Sequence, residues 1–206
     1  MSKPTIADLQ LPATETVFPF YQVYREMPLR FETPRKENDA EHSWSLALFA
    51  CALAPHIDPK LNLGLIAQYA VLHDLVEVHA GDTSNHAAAA EKATKDAREA
   101  AALHKLETQL KVFPWILQTL HAYEAQVDQE AVFVRSVDKI IPLLFDLIDK
   151  GQLYKDKKLT RETWKSNLTA HREKARKHSG AFEYYEQIWE TLAANPEFFY
   201  QEVTAI

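Results

Sequence analysis

The scarcity of glycine constrains this chain most. Only four glycines are spread over 206 residues dominated by alanine and leucine. Strong helix formers with so few turn residues argue for helices and against a turn-rich barrel or sandwich. Apolar residues recur at helical spacing, and no period-2 apolar run is long enough to force a sheet. An all-α protein is expected. The first helix is read over 14–27, with Val17, Phe20, Tyr21 and Tyr24 as its apolar stripe. A second follows an Asp39 N-cap over 40–54 and stops near Pro55. Further helices are expected over 61–79 (ending near Gly81), 86–111, 114–128 and 130–149, with a kink at Pro142. The tail holds about 160–178, 181–194 and 196–203. No repeat, low-complexity linker or boundary divides the chain, so residues 1–206 read as one domain. A chain of this size buries about 70% of its unfolded surface and needs no disulfide or structural metal to fold.

Composition narrows the partners. Twenty-nine acidic and 23 basic residues give a net charge of −6. That balance argues against a nucleic-acid polymer, whose phosphates need clustered Lys and Arg. The single cysteine, Cys51, excludes an internal disulfide framework and fits a reducing compartment; it reads as a small core residue rather than a nucleophile. The N-terminal residues carry no apolar signal core, and nowhere do about 18 apolar residues run on uninterrupted, so no membrane span and a cytoplasmic location are expected.

Chemistry enters where polar residues interrupt the apolar stripes. His42, Ser45, Leu46, Phe49 and Leu53 share one face of the 40–54 helix. Ile66, Tyr69, Ala70, His73 and Glu77 form the stripe of the 61–79 helix, with Asp74 beside His73. Asp138 is the one carboxylate in the wall formed by Val134, Val137, Ile141, Phe145 and Ile148. Each taken singly reads as a satisfied core histidine, a cap or an ion-pair partner. Together they place costly polar groups on three inward stripes, and one divalent cation would satisfy them at once. Imidazole and carboxylate donors suit Mn, Fe, Co, Ni or Zn. His73 and Glu77 do not form a zincin HExxH pair, because the residue four after His73 is not histidine. His79 lies about 240° round the helix from His73 and reads as a surface or helix-end residue. His56, His86, His104, His121, His171 and His178 read as scattered and exposed, and the basic run over 171–178 as a solvated helix face.

The order His42, His73–Asp74, Asp138 resembles the H…HD…D signature of the HD-domain phosphohydrolase superfamily. RKENDAEHSWSLALFA, LHDLVEVHAGDT and VRSVDKIIPLL resemble the corresponding segments of its 5′-deoxynucleotidase-like branch. The likeness covers about residues 18–150, is specific in the His42 and His73–Asp82 segments, and weakens beyond 150.

The resemblance implies an all-α HD-domain helical bundle with a metal site between helices. Its core covers about 14–150, with a helical extension over 151–206. It implies His42, His73, Asp74 and Asp138 as ligands of one divalent ion: Mn, Co, Fe, Ni, Zn or Mg. Glu77 falls at that branch's catalytic carboxylate and Asp82 at its second acidic site. Arg30 and Phe31 fall near its phosphate-binding Arg and sugar-packing aromatic, although Phe replaces Trp and the interval to His42 is shorter; Arg35 is a rival phosphate ligand. The implied activity is metal-dependent hydrolysis of (deoxy)nucleoside 5′-monophosphates. The alternatives are hydrolysis of another phosphate ester or a cyclic nucleotide, or a non-catalytic metal-binding regulator. A small-molecule nucleotide or phosphate-ester substrate follows, and the resemblance with the apolar, aromatic tail implies a homodimer.

Overall fold

The computed structural model describes residues 3–29 and 35–201. The chain opens with α1 (Ile6–Pro12), a π turn (Ala13–Val17) and α2 (Phe18–Phe20). The expected first helix therefore starts earlier and ends sooner. Tyr24 is already in β1 (Tyr24–Leu29), which pairs antiparallel with β2 (Arg35–Asn38) through Tyr24–Asn38, Pro28–Lys36 and Leu29–Arg35. This two-stranded ribbon is a departure from the expected sheet-free chain. Among the described residues it is the whole of the sheet structure.

Asn38 ends β2 and caps α3 (Asp39–Ile57). Its side chain accepts from Glu41 N at 3.0 Å, while the Glu41 carboxylate accepts from Asn38 N at 3.1 Å. The cap is thus Asn38, not Asp39. Asp39 is the first helical residue and its carboxylate is drawn instead to Arg25. The helix also passes Pro55, which forfeits one donor, and closes with Asp58 N on Ala54 O at 2.9 Å.

α4 (Leu63–Leu72) stops where the long 61–79 helix was expected to run on. Residues 73–76 form tight turns with Leu75 N on Leu72 O and Glu77 N on Asp74 O, before α5 (Glu77–Ala80). Gly81, at φ 74°, then turns the chain in a conformation that L side chains rarely adopt. The expected helix over 86–111 is divided into α6 (Ala89–Ala93) and α7 (Lys95–Gln109), followed by α8 (Pro114–Ala125).

α9 (Gln129–Ile148) is the axis of the protein and packs against α3, α4, α8 and two tail helices. It runs through Pro142 without interruption. Pro142 cannot donate to the carbonyl four residues back, which is that of Asp138. The tail forms α10 (Gln152–Asp156), α11 (Arg161–Asn167), α12 (Thr169–Ala175) and α13 (Ser179–Ala193), then a 3-10 turn at Pro196–Phe198 in place of the expected last helix. α12 and α13 pack on α9, and Tyr154, Trp164, Tyr185 and Phe199 join the main core. A smaller core gathers Leu72, Leu75, Val76, Ala102, Leu106 and Leu120 under α5 and α7. Among the described residues, no helix is long and apolar enough to cross a membrane.

Candidate metal centre

Three elements bring the candidate ligands together. α3 presents His42 one turn in, the turn after α4 presents His73 and Asp74, and α9 presents Asp138. His42, His73 and Asp138 are buried, and each offers a ligand atom within 4.8 Å of the others. His42 Nε2 lies 3.0 Å from Asp138 Oδ1. His73 Nε2 lies 2.9 Å from Asp74 Oδ2 and 3.7 Å from Asp138 Oδ1.

The hydrogen bonding assigns the tautomer of His73. Its Nδ1 is 2.9 Å from the Ala70 carbonyl, which can only accept, so Nδ1 carries the proton. In the neutral ring Nε2 is then a lone pair, buried and without a hydrogen-bond partner. It faces two carboxylate oxygens. Three lone pairs converging in a buried space repel unless a cation stands among them, and a borderline divalent metal fits two imidazoles with carboxylate oxygens.

A second acidic group lies alongside: Asp39, Asp74 and Glu77. Arg25, on β1, serves it. Its Nη1 is 2.9 Å from Asp74 Oδ2 and 3.2 Å from Asp39 Oδ1, and its Nε is 3.7 Å from Glu37 Oε2. Glu37 also stands 3.5 Å from His42 Nδ1, the outer nitrogen whose partner orients a ligating ring. The ribbon thus contributes Arg25 and Glu37 to the centre.

These neighbours set the protonation states. Burial opposes ionisation of Asp74, but its contact with His73 and the Arg25 charge outweigh it and hold the carboxyl well below the usual range. Asp138 is likewise held well below its ordinary value, by Lys139 and His42 against burial. Burial and Arg25 push His42 down, yet its bonds to Asp138 and Glu37 raise it to about 8. Burial first, then Asp74, raises Asp39 to about 6. Glu77 rises well above the carboxylate range through burial and the charges of Asp74, Asp39 and Asp82. Burial likewise raises Asp82, with Arg25 opposing.

A cavity of about 160 Å³ adjoins the centre and is lined by Arg25, Asp74, Glu77, Asp82 and Asp138. Three lysines line it too: Lys95, 3.9 Å from Glu77; Lys139, paired with Asp138; and Lys174 of α12. The loop that carries Asp82 is clamped from α7 by Arg98, which donates to the Ala80 carbonyl and to Thr83 Oγ1 (2.6 Å).

The structure therefore clusters His42, His73 and Asp138 with Asp74 beside them, and Asp74, Glu77, Asp82 and Asp138 line the adjoining cavity. Arg30 and Phe31 lie outside the described residues. Arg35 is apart from the centre. Its guanidinium pairs with Glu41 at 2.7 Å, and it borders a separate groove of about 910 Å³ with Trp44 and Phe145. Among the described residues Arg25 is the arginine at the centre, and the sequence reading missed it because position 25 fell inside an expected helix. His171 and Lys174 correct the tail reading as well: His171 is buried, and both line the cavity. No sequence signal marked Arg25: consecutive residues Arg25, Glu26 and Met27 all line the cavity, so no period-2 pattern singles it out.

Fold and site together define a helical protein built around a His/Asp centre for a divalent ion. The chain belongs to the HD domain family, which its residues 21–179 match. It is similar to the crystal structure of a predicted metal-dependent phosphohydrolase from Magnetospirillum magnetotacticum MS-1, with 26% identity, a TM-score of 0.73, and 95% of this chain and 96% of that one covered. It also shares its fold with the PH0347 protein from Pyrococcus horikoshii OT3, at 21% identity and a TM-score of 0.57 over 92% of this chain and 99% of that one. No curated protein matches the chain.

Proposed function

We propose that this chain is a metal-dependent phosphomonoesterase that converts (deoxy)nucleoside 5′-monophosphates to nucleoside and phosphate. The observation that carries the reading is the convergence of His42, His73 and Asp138 beside a cavity that Asp138 lines together with Arg25 and Glu77. The similarity to a predicted metal-dependent phosphohydrolase supports the coarser part, a metal-dependent phosphohydrolase.

His42, His73 and Asp138 would hold the cation, with Asp74 against His73 as a fourth donor. When bound, a divalent cation supplies Lewis acidity toward a phosphoryl oxygen and acidifies water. Arg25 offers a planar guanidinium to the remaining phosphoryl oxygens, exchanging part of its contact with Asp74 and Asp39 for the substrate. Lys95, Lys139 and Lys174 make the cavity wall favourable to an anion. Burial and three carboxylates raise the Glu77 carboxyl well above its usual range, which favours its protonated form as a donor to the leaving 5′-oxygen. Asp82, at the cavity edge, can accept from a sugar hydroxyl or orient water.

The test is phosphate release from a panel of deoxy- and ribonucleoside monophosphates with Mn, Co, Fe, Ni, Zn or Mg supplied singly. Metal-dependent release from at least one monophosphate is expected. No release with any metal, or release only from cyclic diesters, overturns the reading.

A further inference from the structure

The cavity extends past the candidate metal centre toward the tail helices. Asp146 lies two turns after Asp138 on α9, so both carboxylates share a helix face, about 12 Å apart along the axis. Both line the same cavity. Asp146 is only 4% exposed. Its Oδ2 accepts from the Tyr154 hydroxyl at 2.7 Å, while its Oδ1 is buried without a partner. Among the described residues no Lys or Arg pairs with it. A buried acceptor left unpaired is expensive and rare, and packing alone gives no reason for a carboxylate here.

Two imidazoles line the same region. His171 is buried, with Nδ1 3.1 Å from the Tyr185 hydroxyl. His86 has Nδ1 3.1 Å from Asn167 Nδ2. Each therefore has one ring nitrogen engaged and the other available. Leu143, Leu153 and Leu168 supply apolar wall. Although Glu26, Lys139 and Lys174 also line the cavity, one free acceptor and two imidazoles beside these leucines suit a neutral polar group. They do not suit a phosphate, which would meet the Asp146 carboxylate.

We propose that Asp146, His171 and His86 form a specificity subsite for the organic group that the phosphate carries, with Asp146 Oδ1 accepting from a neutral N–H or O–H of that group. The subsite rests on the phosphomonoesterase reading above. A nucleoside 5′-monophosphate can bridge from the metal centre to Asp146. Its donor is either an amino or imino N–H of the base or a hydroxyl of the sugar.

The experiment compares kcat/KM at pH 8, where the Asp146 carboxylate can accept, of the metal-loaded wild type, Asp146→Ala and His171→Gln. The substrates are dAMP, its analogue lacking the 6-amino group, its analogue lacking the 3′-hydroxyl, and p-nitrophenyl phosphate, which has no donor. Thermal unfolding is followed on the same preparations. In Asp146→Ala the dAMP to p-nitrophenyl phosphate ratio should fall about 5- to 150-fold, the loss of one buried hydrogen bond. In the wild type the desamino analogue should show that loss if the base supplies the donor, and the deoxy analogue if the sugar does. A ratio within twofold of wild type overturns the subsite while leaving the phosphomonoesterase reading intact. Absence of wild-type activity on every substrate overturns both. Should Asp146→Ala fail to fold, the same ratio in His171→Gln decides, a fall supporting the subsite and an unchanged ratio overturning it.

Discussion

Arg25 Nη1 stands 2.9 Å from Asp74 Oδ2, the same oxygen that stands 2.9 Å from His73 Nε2. One carboxylate oxygen thus joins the arginine of the ribbon to the candidate metal centre. Arg25 is 16% exposed on its side chain, and Asp74 19%, so both meet the cavity. A phosphate arriving there competes with Asp74 and Asp39 for the guanidinium. Hydrogen bonds to a charged group are worth about 1.5–3 kcal/mol, or about 10- to 150-fold. Lysine keeps the charge but not the planar fork. Arg25→Lys should therefore raise KM for a phosphomonoester by that factor, move kcat less and leave metal content unchanged. Steady-state kinetics with elemental analysis check this, and an unchanged KM removes Arg25 from phosphate binding.

The candidate ligands should fail as a set. His42→Ala, His73→Ala, Asp74→Ala and Asp138→Ala should each lower bound metal, because each removes a donor from one ion. The fold should persist, since the main core lies in the Leu46, Ile66, Val134 and Ile141 packing. Elemental analysis of each variant, with circular dichroism as the folding control, is the measurement. Full metal content in two or more variants contradicts the assignment.

These positions were legible in the sequence because the extended match around His42 and His73–Asp82 kept both order and spacing. The all-helical character followed from helix formers and scarce glycine. The ribbon was not legible. YREMPL and RKEN carry no apolar alternation, and their pairing is a tertiary choice that period-2 counting does not see. Arg25 and Glu37 were lost with it. The break at residues 73–76 was hidden because the apolar stripe keeps its spacing through turns closed by i to i+3 bonds. Asp39 looked like a cap, a role that Asn38 takes one residue earlier while Asp39 faces Arg25. His171 sat in a charged run whose inward face could be known only from the packing of α12 on α9.

Glu77 separates chemistry from binding. It contributes no atom to the group formed by His42, His73 and Asp138, and burial with the charges of Asp74, Asp39 and Asp82 raises its carboxyl well above the usual range. Glu77→Gln keeps the size and a hydrogen-bonding end but cannot pass a proton. General acid–base catalysis typically contributes 10²–10⁴-fold, so kcat should fall by about that much while metal content stays at the wild-type level. As the donor of a proton, Glu77 should also give the wild type a loss of kcat on the alkaline side, and the variant should lack that limb. Single-turnover rates across pH on metal-loaded protein read both effects. A near-normal rate removes Glu77 from the mechanism, and loss of metal reassigns it as a ligand.

Asp146 should cost the protein stability. Burial, reinforced by Asp149 and opposed by the Tyr154 hydrogen bond, raises its carboxyl from 3.8 to about 7. In the pH interval between those values the native state holds the proton and the unfolded chain has released it. Stability therefore falls as pH rises from about 4 to about 7, by roughly 4 kcal/mol at 1.36 kcal/mol per unit. Asparagine has the same shape, keeps a partner for Tyr154 and cannot ionise. Asp146→Asn should thus be more stable than wild type at pH 8, by up to about that amount, with the difference shrinking toward pH 4. Urea unfolding of ligand-free wild type and variant at several pH values measures the difference directly. A variant less stable than wild type at pH 8, or a difference that does not change with pH, contradicts the assignment. If the variant is more stable, the chain carries a destabilising buried carboxylate, and a residue retained at that cost calls for a functional reason, which recognition of the substrate's organic group supplies.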